Sequence, residues 1–179
     1  MKKYNLQSGF TLIDLLVTIA VISFLSSILL ISVVNVRIKG RNTFTAKAVD
    51  QYITSFQAYY NDYGRYPNTG APDLNYYCIG APACFVSGVW PTNAAINNAL
   101  YPAYVAKLTN VSPKPLDIGF GAANSWQGLA YSCTQWTNSP CSSITLRWAL
   151  EGWPKSCGYG ASATQSGLNT FCQLTDFSY

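Results

Sequence analysis

The sequence predicts an α+β fold: one long N-terminal helix packed on a small antiparallel sheet, with loops clipped by disulfides. Three observations carry that expectation. No proline occurs from Phe10 to Gly64, and the first half of that run is apolar. Further along, apolar residues alternate with smaller or polar ones through Leu129, Tyr131, Cys133 and again through Ile144, Leu146, Trp148, Leu150, the period of a strand. All six cysteines follow the apolar run. A chain of 179 residues has room for one modest domain and an accessory segment.

The helix comes first. From Leu15 to Val36 there is no charged residue, and these 22 positions are rich in Leu, Ile, Val, Ser and Ala. A helix of that length crosses a bilayer core. Beyond it, Ala46, Val49, Ile53, Phe56, Tyr60 and Tyr63 recur at spacings of three and four, which predicts one packed face. Gly64 and then Pro67 supply a stop signal. The expected helix is 10–63, roughly 80 Å at 1.5 Å per residue, with 10–36 as its transmembrane part. Gly40, between Lys39 and Arg41, is its expected weak point.

The head, 64–179, is expected to be globular and water-facing. Ala94 to Leu108 reads as a short helix interrupted or entered at Pro102. The hairpin of the two alternating segments is joined through 134–143. A Gly/Ser-rich loop from Gly158 to Gly167 precedes a third strand in Leu168 to Leu174. Cys78, Cys84, Cys133, Cys141, Cys157 and Cys172 form no C-x-x-C pair, and the chain has no histidine. That combination disfavours zinc and removes the usual catalytic dyads and triads. Structural disulfides in an oxidising compartment are the expectation. Six cysteines allow 15 pairings. The arrangement we expect is sequential, Cys78–Cys84, Cys133–Cys141 and Cys157–Cys172, each closing a local loop. No catalytic set, metal centre or cofactor site is expected, and no enzymatic activity.

Charge is distributed unevenly. From Gly64 onward, Arg65, Lys107, Lys114, Arg147 and Lys155 stand against Asp73, Asp117, Glu151 and Asp176, so the head is almost neutral. Nucleic acid is therefore not an expected partner. Basic residues flank the span on both sides, Lys2 and Lys3 before it and Arg37, Lys39, Arg41 and Lys47 after it, so charge alone does not orient it. The cysteines place the head outside the cytoplasm.

The N-terminus is the most informative segment. Polar Asn5, Gln7 and Ser8 precede Gly9 and the apolar run, an order unlike a secretory signal. Asp14 is the single charged side chain between Lys3 and Arg37. A carboxylate there is unfavourable in lipid, so it needs a partner or a helix N-terminus to complement. Gly9-Phe10-Thr11-Leu12-Ile13-Asp14-Leu15-Leu16 resembles the prepilin cleavage and methylation motif, G-F-T-L-I-E-L-L, of type IV pilins and type II secretion pseudopilins.

The resemblance implies a type IV pilin fold, a leader of residues 1–9 cut after Gly9 by prepilin peptidase, N-methylation of Phe10, and an assembly role for Asp14. In that family the acidic side chain pairs with the new α-amine as a subunit docks. Asp14 departs from the family's usual Glu by one methylene. Tyr59 to Pro67 is similar to the family's Y-x-x-D-x-G-x-Y-P turn, and Leu100 to Tyr104 to its L-x-P-x-Y segment. Implied partners are membrane lipid before assembly, copies of the chain or related pilins in a helical filament, and, indirectly, an inner-membrane assembly platform and ATPase. The implied location is the inner membrane, then a surface or periplasm-spanning filament. Asp117 and Asp176 are conceivable calcium ligands, but no dense acidic loop accompanies them. Pilus or pseudopilus, major or minor subunit of a secretion or DNA-uptake system, all remain open. So does a single-pass membrane-anchored extracellular binding domain.

Overall fold

A computed structural model of the chain describes residues 11–68, 75–80, 83–84, 90–108, 110–119, 125–133 and 140–175, side chains 29–32 aside. Two compact units are present, Met1–Arg37 and Ile38–Tyr179, and helix α1 (Leu12–Tyr63) contributes to both. It begins two residues after the expected start because Thr11 is its N-cap. It ends where expected: Gly64 takes φ +64° and its N–H bonds the Tyr60 carbonyl at 2.7 Å, a left-handed cap that a residue without Cβ forms freely.

In the second unit, α1 buries Thr45, Ala48, Val49, Tyr52, Ile53, Ser55 and Phe56. The stripe is displaced from the expected one: Ala46 and Tyr63 are exposed. Spacings of three and one along 45, 48, 49, 52, 53, 56 follow a 3.6-residue period more closely than the face anticipated from apolar residues alone. Phe56 is the deepest anchor, stacked on Tyr131 at 5.1 Å and edge-on to Tyr66 at 6.5 Å.

The sheet has five strands among the described residues: β1 (Tyr77–Ile79), β2 (Leu129–Cys133), β3 (Ile144–Leu150), β4 (Ser162–Ser166) and β5 (Asn169–Thr175), in the order β1-β2-β3-β5-β4. Every pairing is antiparallel, with Tyr131 opposite Leu146 and Leu146 opposite Leu174. Helix α2 (Ala94–Leu100) is capped by Asn93, whose side chain accepts from Ala95 and Ile96 N–H. It stops before Pro102, so the chain beyond Leu100 turns rather than continuing as helix.

Two expectations need correction. Residues 158–167 are not all loop, because β4 lies within them, and β1 was not foreseen. β4 is Ser-Ala-Thr-Gln-Ser, polar on both faces and mostly exposed. Its strand character comes from pairing with β5 across the two-residue turn Gly167-Leu168, where Gly167 has φ +61°.

The sheet is also covered on both faces. Leu129, Tyr131, Ile144, Leu146, Trp148, Leu150 and Leu174 join the helix residues in one core. Ala130 and Ala149, on the opposite face, join Cys78, Cys84, Leu116, Ile118 and Trp126 in a second. Arg147, which reads as a solvent position, lies 4.1 Å from the Tyr76 ring centre and donates to Gln173 at 2.8 Å.

A polar clasp fastens α1 to the end of β3. Arg41 donates twice to the Glu151 carboxylate, at 2.6 and 2.9 Å, and Lys114 lies 3.1 Å from the same group. Asn42 pairs its amide with the Glu151 main chain, donating at 2.9 Å and accepting at 2.8 Å. The Arg41 hydrogen bonds hold the Glu151 carboxyl below the ordinary glutamate value of 4.5. A depressed carboxylate stabilises the folded state above its ordinary value and loses that effect as pH falls through the lowered one. The gap in thermal midpoint between the full chain and Glu151→Gln, both in detergent, should be widest at neutral pH. It should shrink on acidification below 4.5. A gap that stays constant into strong acid would contradict the clasp.

Candidate functional site

The segment that carries the motif starts at Thr11. The Thr11 carbonyl accepts the first helical bond, from Leu15 N–H at 3.4 Å. Its hydroxyl accepts from Asp14 N–H at 3.3 Å and donates to Asp14 Oδ2 at 2.7 Å. The same Oδ2 accepts from Thr11 N–H at 3.0 Å. Side chain and main chain thus satisfy each other reciprocally, a capping box with Asp in the place usually held by Glu or Gln. Asp14 therefore has a partner within its own chain, and its negative charge sits where the helix N-terminus favours one. Gly9 and Phe10, the expected cleavage pair, lie outside the described residues.

Behind the cap, Leu12, Ile13, Leu15, Leu16, Val17, Ile19, Val21, Ile22, Phe24, Leu25 and Ile28 are all more than half exposed. Three of the four hydroxyl side chains among them, all but that of Ser26, fold back onto the helix. Thr18 donates to the Leu15 carbonyl at 2.8 Å, Ser23 to Ile19 at 2.7 Å and Ser27 to Phe24 at 2.7 Å. A helix that hydrogen-bonds its backbone internally and folds most of its hydroxyls back onto it brings few unpaired donors into hydrocarbon. α1 is long and apolar enough to cross a membrane.

The cysteines pair in sequence order. Cys78–Cys84 lies in the second core beside Trp126. Cys133–Cys141 spans the β2–β3 connection, and the Cys141 carbonyl accepts from Tyr66 N–H at 2.7 Å just past the end of α1. Cys157–Cys172 ties the segment after β3 to β5. Asp117 caps its own turn, accepting from Gly119 N–H at 2.8 Å, and Asp176 lies outside the described residues. Among the described residues no cluster of three His, Cys, Asp or Glu forms.

Sequence reasoning missed Thr11 as a functional partner, although T-x-x-D ahead of an apolar run is a legible capping signal. It also missed the Arg41–Glu151 clasp, whose members are 110 residues apart, a pairing no local pattern encodes. No match was found among curated proteins or among solved structures. A family model, the prokaryotic N-terminal methylation motif, matches residues 4–30. With an apolar N-terminal helix, a five-stranded antiparallel sheet and three disulfides behind that motif, the architecture is pilin-like. The chain carries, at residues 4–30, the signature of type IV pilins and pseudopilins.

Proposed function

We propose that this chain is a structural subunit of a type IV pilus or pseudopilus. It is held in the inner membrane by α1, trimmed after Gly9 by prepilin peptidase, methylated on Phe10, and assembled with copies of itself or related pilins. The single observation that carries this reading is the methylation motif joined directly to an exposed apolar helix. In water such a surface is unfavourable by about 25 cal/mol per Å². It has two stable environments, lipid and the same helices of neighbouring subunits. Extraction from lipid into a filament is the step for which an assembly platform and its ATPase supply the work. The head, closed by three disulfides, suits an oxidising compartment.

Asp14 is the assembly residue in this proposal. On docking, its carboxylate exchanges the Thr11 cap for the α-amine of a neighbouring subunit. The capping box is also the observation that favours a second reading, a plain membrane-anchored extracellular binding domain, because a capped Asp14 needs no neighbour. Two substitutions separate them. If Asp14 serves docking, Asp14→Ala leaves the protein in the membrane but reduces filament yield to background, whereas Thr11→Ala, which removes only the hydroxyl's part of the cap, retains most of it. Equal, small effects of both on filaments sheared from the native cell would reduce Asp14 to a cap.

A further inference from the structure

The globular unit carries a cationic surface with an exposed tryptophan. The segment after β3 runs along α1: Glu151 is bonded to Arg41, and eight residues later the Tyr159 hydroxyl bonds Asp50. Between these two fastenings, Trp153 is 42% exposed and Lys155 is exposed beside it. Lys39 and Lys47 on α1 are exposed, as is Lys114. Five cations, Lys39, Arg41, Lys47, Lys114 and Lys155, therefore stand against two carboxylates in this part of the unit; Arg41 and Lys114 hold Glu151, and Tyr159 holds Asp50.

Position along the chain says what such a surface meets. Arg41 is five residues beyond Val36, the last residue of the uncharged run, or about 7.5 Å along a helix. The polar headgroup zone outside the hydrocarbon core is about 5–7 Å deep on each side of a bilayer. Trp is the residue type enriched at that depth, and cationic side chains there meet lipid phosphates. We propose that Lys39, Lys114, Trp153 and Lys155 form a collar that rests the head on anionic phospholipid headgroups while the subunit is stored in the membrane. The collar rests on the membrane-anchored reading above and adds a second, interfacial attachment to the span. Assembly must then release the head from the lipid surface as well as withdraw the helix.

No tryptophan lies in the span, so tryptophan fluorescence reports on the head alone. The full chain is reconstituted into vesicles of phosphatidylcholine and phosphatidylglycerol carrying a brominated lipid whose bromines sit just beneath the headgroups. Tryptophan emission should be quenched, and Trp153→Phe should remove most of that quenching. In purely zwitterionic vesicles, or with the Lys39→Gln, Lys155→Gln double variant, quenching should fall by more than half. Vesicle flotation checks insertion in every sample. Wild-type chain that floats but loses no quenching on Trp153→Phe would overturn the collar and leave membrane anchoring intact. Quenching independent of lipid charge and of both lysines would overturn the assignment to anionic headgroups. A chain that fails to float would overturn the anchoring itself, and the collar with it.

Discussion

Phe56→Ala is expected to destabilise the globular unit by about 3–5 kcal/mol, the cost of truncating a fully buried Phe to Ala. The Phe56 ring is wholly buried and is the residue of α1 that stacks on the sheet, against Tyr131. Tyr131 is itself fixed by its hydroxyl, which donates to the Pro67 carbonyl, so the cavity left by alanine has stiff walls. Such a wall collapses little, which places the loss towards the upper part of that range. Phe44 is the control. It lies on the same helix but is 48% exposed, and Phe44→Ala should change stability by no more than about 0.5 kcal/mol. Urea unfolding of the detergent-solubilised chain, followed by near-ultraviolet circular dichroism, measures both. Similar effects of the two variants would contradict the observed packing face of α1.

A second large loss is expected at a residue with no side chain. Gly128 immediately precedes β2 and lies under the Cys78–Cys84 disulfide. A Cβ placed on it would overlap Cys78 Sγ and lie 2.9 Å from Cys84 Sγ and 3.1 Å from the Cys84 Cα. The obstacle is a cross-linked loop and a main-chain atom, not the mobile end of a long side chain. The Gly128 carbonyl also accepts the buried Trp126 indole N–H at 2.7 Å, so the peptide cannot rotate away without orphaning a donor. Gly128→Ala should therefore destabilise by at least the upper end of the overpacking range, about 3 kcal/mol. A second variant isolates the cause. With both Cys78 and Cys84 replaced by alanine, the further cost of Gly128→Ala should fall by more than half. An unchanged cost in that background would mean that the disulfide is not the obstacle.

What could be read from the sequence follows a physical divide between local and distant information. The end of α1 was legible because Gly64 and Pro67 are local signals, and β2, β3 and much of β5 because one face of each is apolar. β4 was not, since Ser-Ala-Thr-Gln-Ser has no apolar period and gains its conformation from β5 across the Gly167 turn. The second core was hidden for a related reason. Thr145 and Arg147 look solvent-facing, yet Thr145 is buried and Arg147 is covered by Tyr76, from a loop about 70 residues upstream. The helix stripe was misplaced at Ala46 and Tyr63 because Thr45 and Ser55 are polar residues buried with satisfied or neutral side chains. At the candidate site the motif itself was the strongest signal in the chain. Thr11 was nonetheless passed over, although its spacing to Asp14 specified the cap.

The N-terminal geometry gives the proposed assembly step a concrete cost. In the isolated subunit Asp14 is not a bare charge awaiting rescue; three hydrogen bonds already tie it to Thr11. A docking amine must therefore offer more than the cap does, which a full positive charge in a water-poor bundle can supply. In that proposal, storage in the membrane and docking into a filament are two partnered states of one carboxylate. The Thr11 and Asp14 substitutions bias them differently.

The claim that this chain is a processed filament subunit is tested most directly by intact-mass measurement on filaments sheared from the native cell, beside the membrane fraction. The account predicts a species that begins at Phe10, carries one N-methyl group and retains three disulfides, abundant in the sheared material. A chain that keeps Met1 to Gly9 in both fractions would contradict it.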